Sequence, residues 1–196
     1  MRERSGRQRR PAWRASRVLA VLVVLAVSSA LAAPGHAATI GIAGSNKGRL
    51  VLAIGGVITS ADAAAVDSVL QLTRRTHRPV QILMVDSPGG EFVAGLEIAD
   101  QVHRLGIPVR VRGGCFSACA FVALAARKLT VTGGGVVGVH QAYDLHGGPD
   151  LEATLFAAKL LRRYGVRRSA IGKMLDTPPD QLAILSPSEL RAERKK

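Results

Sequence analysis

Ser117, His140 and the glycines of Asp86-Ser-Pro-Gly-Gly90 are the residues whose types and settings suit chemistry. Ser117 lies where a strand-like run, Val109–Arg112, turns through Gly113-Gly114 into a nearly all-apolar helical run, 117–127. A hydroxyl at a helix start faces unpaired backbone amides, and that end of a helix favours a developing oxyanion. Cys115 and Cys119 stand two positions to either side, and both are small. A sharp strand-to-helix turn needs small residues there, as the Gly-x-Ser-x-Gly elbow shows. Serine is also a favoured helix N-cap, so nucleophile and cap both remain open. His140 ends the run Val136–His140 and leads into a loop. A strand-end imidazole is well held for general-base work, although a hydrogen-bonded structural histidine fits the same setting. Gly89-Gly90 follows the apolar run Val80–Val85. Paired glycines let backbone approach a ligand and present N–H groups, and they also suit an ordinary turn. A cysteine nucleophile is a weaker rival. Cys115, Cys119 and His140 could supply three zinc ligands, but the C-x3-C spacing gives little support, so no metal site is expected.

These groups need a framework, and the hydropathy pattern supplies one. Thr39–Ala43 and Arg49–Ile54 read as a hairpin around Gly44–Gly48. Ser60 caps a helix expected to run to about Arg75, with Ala63, Val66 and Leu70 on one face. Val93, Leu96, Ala99, Val102 and Leu105 recur every three residues, which predicts an amphipathic helix over 91–105. Leu129–Thr132 and Val136–His140 read as strands around Gly133–Gly135. Asp150 caps a helix over about 151–164, and Ser186-Pro-Ser-Glu189 is a capping box opening a last short helix. Alternating strands and helices predict an α/β fold.

Composition narrows the function classes. The chain has 196 residues, 47% of them hydrophobic, with 27 Lys and Arg against 14 Asp and Glu and a formal charge of +13. That suits one domain with a core. Two cysteines exclude a disulfide-dense scaffold and a four-thiolate zinc module. Seven arginines within 1–17, an uncharged run over 18–33 and small residues up to Ala37 have the pattern of a secretory signal. The expected division is therefore a signal over 1–37 and a folded domain over 38–196, in the periplasm or outside the cell. An uncleaved anchor, giving N-terminal membrane association, is the rival; the apolar run is shorter than the ~20 residues that span a bilayer comfortably. Seven basic residues and one acid fall within 1–37, which leaves +7 on the remainder. Six basic residues within 159–173 read as a solvated helix face or an anion-attracting patch. No aromatic residues interleave with them, so no nucleic-acid partner is expected. Lys47 is followed by Gly48 rather than Ser or Thr, so Gly44–Gly48 is not a phosphate loop.

Taken in order, Asp86-Ser-Pro-Gly-Gly90, the helix Glu91–Leu105, Gly-Cys-Phe-Ser-Ala-Cys-Ala (114–120) and Val-Gly-Val-His-Gln (137–141) resemble the Clp protease proteolytic subunit and crotonase superfamily. The likeness is strongest to small exported Clp-protease-like proteins and spans about Arg49 to Arg191. It implies a single α/β domain of repeated β-β-α units wound as a superhelix. It further implies a serine-type peptidase with Ser117 as nucleophile, His140 as base and the Gly90 and Ala118 amides as oxyanion hole. An extended peptide or protein substrate would pair with backbone just after Gly90, without a cofactor, and relatives form homo-oligomers. The family places an acid shortly before its final helix. Ungapped alignment from Ser186 puts Leu182 there, and a two-residue shift puts Asp180 there; Asp176 and Asp144 compete, and Asp180 is the residue chosen. Cys115 and Cys119 depart from the family pattern. Either they join as a disulfide that locks the elbow, or they pack as two small buried residues. Two other readings stand beside the Ser–His one. One is a Ser–Lys dyad with Lys159 or Lys173, as in signal peptide peptidase A-type proteins. The other is a non-catalytic scaffold retaining the fold.

Overall fold

In the computed structural model residues 39–46 and 49–191 are described, and the expected signal or anchor over 1–37 lies outside them. The hairpin comes first: β1 (Thr39–Asn46) runs antiparallel to β2 (Arg49–Ile58). Helix α1 (Ser60–Arg75) then crosses to β3 (Val80–Gly90), α2 (Phe92–Leu105) to β4 (Val109–Phe116), and α3 (Ala118–Ala125) to β5 (Leu129–Val139). Strands β2 to β5 are parallel neighbours in chain order. Two further helices, α4 (Leu151–Arg163) and α5 (Arg168–Asp176), precede a short β6 (Ala183–Ile184) that pairs antiparallel with β5.

The repeat expected from the resemblance is visible as a line of kinks. Gly55, Val85, Arg112 and Thr132 pair across one row of the sheet, and the register breaks in every strand just beyond it. The breaks fall at Gly56, Asp86, Gly113 and Gly133-Gly134, all with positive φ. Each long strand is therefore two consecutive halves followed by a helix, the β-β-α unit. This explains why the sequence reads as two strands around Gly133–Gly135: they are the halves of β5. It also explains why β3 continues through Asp86–Gly90, where a break is expected. Asp86 ties two kinks together, its Oδ1 accepting from the Gly114 amide at 2.9 Å. A Cβ on Gly113 would lie 2.1 Å from that same oxygen, so only glycine fits there.

Helix α3 is buried along its whole length, as its apolar composition predicts, between the sheet and α2. Its small residues allow a close approach: a Cβ on Gly95 would lie 2.7 Å from the Ala118 Cβ. Ile54, Ile58, Ile82 and Ile98 are fully shielded in the same core, each contributing about 1.5–3 kcal/mol.

Three local expectations need correction. Thr59, not Ser60, caps α1, its amide and hydroxyl both donating to Asp62 Oδ2 at 2.7 Å. Helix α5 and strand β6 are additional elements. Finally, the Ser186–Glu189 capping box forms, but 187–190 is a turn rather than a helix.

That turn serves as an anchor. Glu189 Oε2 accepts from the Ser186 amide and hydroxyl, both at 2.7 Å, and from Lys173 Nζ at 2.9 Å. The Ser186 hydrogen bonds, backbone first, with Lys173 behind them, hold the Glu189 carboxyl down to about 2 from 4.5. The stabilisation is therefore present above pH 4.5 and is lost as pH falls toward 2. Glu189→Gln is expected to lower stability by about 2 kcal/mol at neutral pH. Urea titration of both proteins should show the gap closing as pH falls through that window.

Candidate active site

The far halves of the strands, beyond the line of kinks, carry the candidate chemistry, at the carboxyl ends where parallel sheets usually bind ligands. Ser117 sits between β4 and α3 at φ 54°, ψ −124°. That is a strained conformation for any residue but glycine. Its amide donates to the Gly138 carbonyl on β5 at 3.1 Å. Although Ser117 occupies the N-cap position, its side chain makes no capping hydrogen bond. The hydroxyl is half-buried and lines a cavity of about 390 Å³.

His140, one residue past β5, lines the same cavity, together with Gly90 and Ala118. Four of the residues singled out from sequence thus meet in one place. Cys115 and Cys119 stand two residues to either side of Ser117. Both are fully buried, and their sulfurs are bonded, with the Cα atoms 5.2 Å apart. The bridge joins the end of β4 to the first turn of α3, on either side of Ser117.

The glycine loop presses directly on the elbow. Gly89 has φ 104°, and a Cβ there would lie 2.7 Å from Ser117 Cβ and 3.0 Å from the Ala118 amide nitrogen. Gly89→Ala is therefore expected to cost about 1–3 kcal/mol in backbone strain alone. Because the displaced atoms are those of Ser117, any activity that uses that hydroxyl should fall by more than this destabilisation explains. Thermal melts and kinetics at a temperature where the variant is folded separate the two effects. The pairing expected of substrate just after Gly90 is not open: the Glu91 amide donates to Ile58 O at 2.8 Å, and the Glu91 carbonyl accepts from Gly95 N.

His140 Nδ1 lies 2.6 Å from the Gln141 carbonyl oxygen. A carbonyl only accepts, so the Nδ1 proton is the donor and the Nε2 lone pair is left for acid–base work. Gln141 is itself fixed at the end of α5: its amide donates to Thr177 O at 2.9 Å and its side chain to Leu175 O. Tyr143 stacks beside the imidazole, ring centroids 6.4 Å apart. Among the described residues no hydrogen bond joins Ser117 Oγ to His140.

The acid partner is where the expectation and the structure part. Asp180 lies on the exposed turn after α5 and does not line the cavity. Leu182, the ungapped alternative, packs where a Gly138 Cβ would meet it at 2.9 Å. Asp176 is exposed, and Asp144 braces its own loop, accepting from the His146 and Gly148 amides at 2.8 and 2.9 Å. The one aspartate on the cavity wall is Asp150, whose Oδ1 caps α4 by accepting from Ala153 N at 2.9 Å. The Gln141 carbonyl thus stands where an acid was expected; a main-chain acceptor leaves no trace in residue identity. Neither lysine reaches the cavity: Lys159 is exposed on α4, and Lys173 is held by Glu189 and Ile184 O. The described residues contain no cluster of His, Cys, Asp or Glu suited to a metal ion.

A family model described as Clp protease matches residues 35–162. Among solved structures, the chain is similar to two variants of the 1510-N membrane-bound stomatin-specific protease. One carries a serine-to-alanine change, with 21% identity, TM-score 0.54 and coverage of 71% of this chain and 72% of the other. The second carries a lysine-to-alanine change and is complexed with a substrate peptide; it has 22% identity, TM-score 0.54 and coverage of 71% and 68%. A ClpP1 variant from Listeria monocytogenes has 23% identity and TM-score 0.54, covering 71% of this chain and 84% of that one. At these identities the likeness carries the fold. No curated protein sequence matches the chain.

Proposed function

Because the chain belongs to the Clp protease family, we propose that it is a serine-type peptidase with Ser117 as nucleophile and His140 as general base. The single observation that carries this reading is Ser117 itself. It holds a strained positive φ and an uncapped hydroxyl on the wall it shares with an imidazole whose free nitrogen is Nε2. Ser117 Oγ attacks the peptide carbonyl carbon while Nε2 takes its proton; the same proton then passes to the leaving amine, and water repeats the cycle on the acyl-enzyme. The Ala118 amide opens α3 and has no partner within the helix, so with Gly90 it receives the oxyanion, each donor supplying about 3–4 kcal/mol. The Gln141 carbonyl fixes the tautomer in place of a carboxylate. The cavity wall includes Val57, Phe92 and Phe121 and suits an apolar side chain of the substrate.

Export to the periplasm or beyond, directed by 1–37, fits the disulfide, which persists in oxidising compartments. Exposed Leu151, Leu155 and Phe156 on α4 offer a surface for self-association. The non-catalytic reading draws on one observation: among the described residues no carboxylate hydrogen-bonds to His140. A serine-reactive fluorophosphonate separates the two. The peptidase reading expects labelling that maps to Ser117, disappears in Ser117→Ala and persists in Lys173→Ala. Labelling that survives Ser117→Ala rejects it.

A further inference from the structure

At the opposite edge of the sheet from Ser117, where β2 and β3 begin and α1 and α2 end, lies a second cavity of about 540 Å³. Arg49, Arg74, His77 and Arg78 line it, and no Asp or Glu does. Its remaining wall is largely apolar, with Leu70, Leu105 and Ile107 among the lining residues. We propose that this cavity is a binding site for an organic phosphate, the guanidinium groups taking the phosphate and the apolar wall taking the group it carries.

The three arginines come from separate pieces of chain that the backbone fastens together. Arg74 ends α1. His77, at φ 52°, turns the chain back, so that the Arg78 amide bonds to Thr73 O at 2.9 Å. Arg49 opens β2 beside it, the Leu50 amide bonding to Pro79 O at 2.8 Å. A basic residue in the last turn of a helix has a structural explanation, since it meets the negative end of the helix dipole. That accounts for Arg74. It accounts for neither Arg78, beyond the helix, nor Arg49, on a strand. Arg49 Nε is moreover shielded from solvent without a hydrogen-bond partner, a state native proteins avoid unless something else supplies the acceptor. Among the described residues no carboxylate bonds to any of the three. A carboxylate has two oxygens and one charge. A phosphate monoester offers three free oxygens and up to two charges, which suits several guanidinium forks lining one cavity. The cavity exceeds what the phosphate alone needs, and the apolar wall makes bare inorganic phosphate the poorer ligand.

Titration of the full chain at low ionic strength, followed by calorimetry, tests this with inorganic phosphate, phenyl phosphate and phenol. Phenyl phosphate is expected to bind about tenfold or more tightly than inorganic phosphate, and phenol not to bind. Arg49→Gln and Arg78→Gln should each weaken phenyl phosphate about ten- to hundredfold, the range of a lost charged hydrogen bond. A cooperative thermal melt like that of the wild type serves as the check that each variant is folded. The ligand's source is read with vesicles of phosphatidylcholine containing phosphatidic acid, the lipid that carries a phosphate monoester. Vesicle binding lost in the same variants places the phosphate on a lipid; absence of vesicle binding with phenyl phosphate retained places it on a soluble ester. Failure of phenyl phosphate to bind, or binding unchanged in a folded Arg49→Gln/Arg74→Gln/Arg78→Gln protein, overturns the proposal.

Discussion

His140→Ala is expected to lower kcat/KM on a fluorogenic peptide by about 10⁴- to 10⁶-fold, and Ser117→Ala by a similar factor. Combining them should cost little more than either alone. In the proposed mechanism the hydroxyl is inert without a base to receive its proton and the imidazole has no task without the hydroxyl, so the two losses should not add. The residual rate in the double variant measures what the Gly90 and Ala118 amides and substrate binding do unaided. The Gln141 carbonyl sharpens the expectation. It fixes the imidazole tautomer as a carboxylate would, but brings no full negative charge to the imidazolium that forms in the transition state. Asp180→Asn and Asp176→Asn should therefore leave kcat within about threefold of wild type, in contrast to the ~10⁴-fold loss when a true triad carboxylate is replaced. A loss of that size in Asp180→Asn would assign it the acid role after all. Losses from His140→Ala and Ser117→Ala that multiply in the double variant would mean that they do not share a proton.

Removing the Cys115–Cys119 bridge is the second large perturbation. The cysteines are four apart in sequence, and closing so short a loop restricts the unfolded chain by only about 2 kcal/mol. For a domain of this size that lowers Tm by about 4–8 °C. The catalytic cost should be greater. Ser117 holds φ 54° between the bonded residues, and without the bridge nothing covalent opposes its relaxation toward a lower-energy backbone. A shift of about 1 Å in a reacting atom costs on the order of 10²-fold in rate. Cys115→Ala/Cys119→Ala is expected to lose rate on that scale at a temperature where melts show it folded, and reduction of the wild type should reproduce both effects. Full activity in the folded variant would show that packing alone sets the elbow.

The sequence reveals parts of this molecule unequally, for physical reasons. Ser117 and Gly90 lie on strand-to-helix turns and His140 on a strand end. Such junctions write themselves locally, as apolar runs broken by glycine, so these residues are legible with the folded chain unseen. The buried helix α3 is equally plain, because only a wholly shielded helix tolerates Ala-Cys-Ala-Phe-Val-Ala-Leu-Ala. The kinks are less legible. Asp86 takes φ 42° within β3, and nothing in its identity distinguishes a mid-strand bend from a strand end. Helix α5 has a readable face in Ala170, Ile171 and Met174, but it is short, carries Gly172 and follows another helix closely. β6 is two residues long and exists only because β5 offers an edge. The partner of His140 was illegible in principle, being a main-chain carbonyl whose position depends on where α5 ends.

That dependence gives the site an order of assembly. The hydroxyl at 117, its amide donors and the imidazole at 140 are all translated well before the Leu175 and Thr177 carbonyls that grip Gln141. A polypeptide ending after α4 would lack both contacts that fix Gln141, and with them the hold on His140. Under the proposed peptidase reading, a positioned base therefore arrives only with the last stretch of chain, after the nucleophile is already in place.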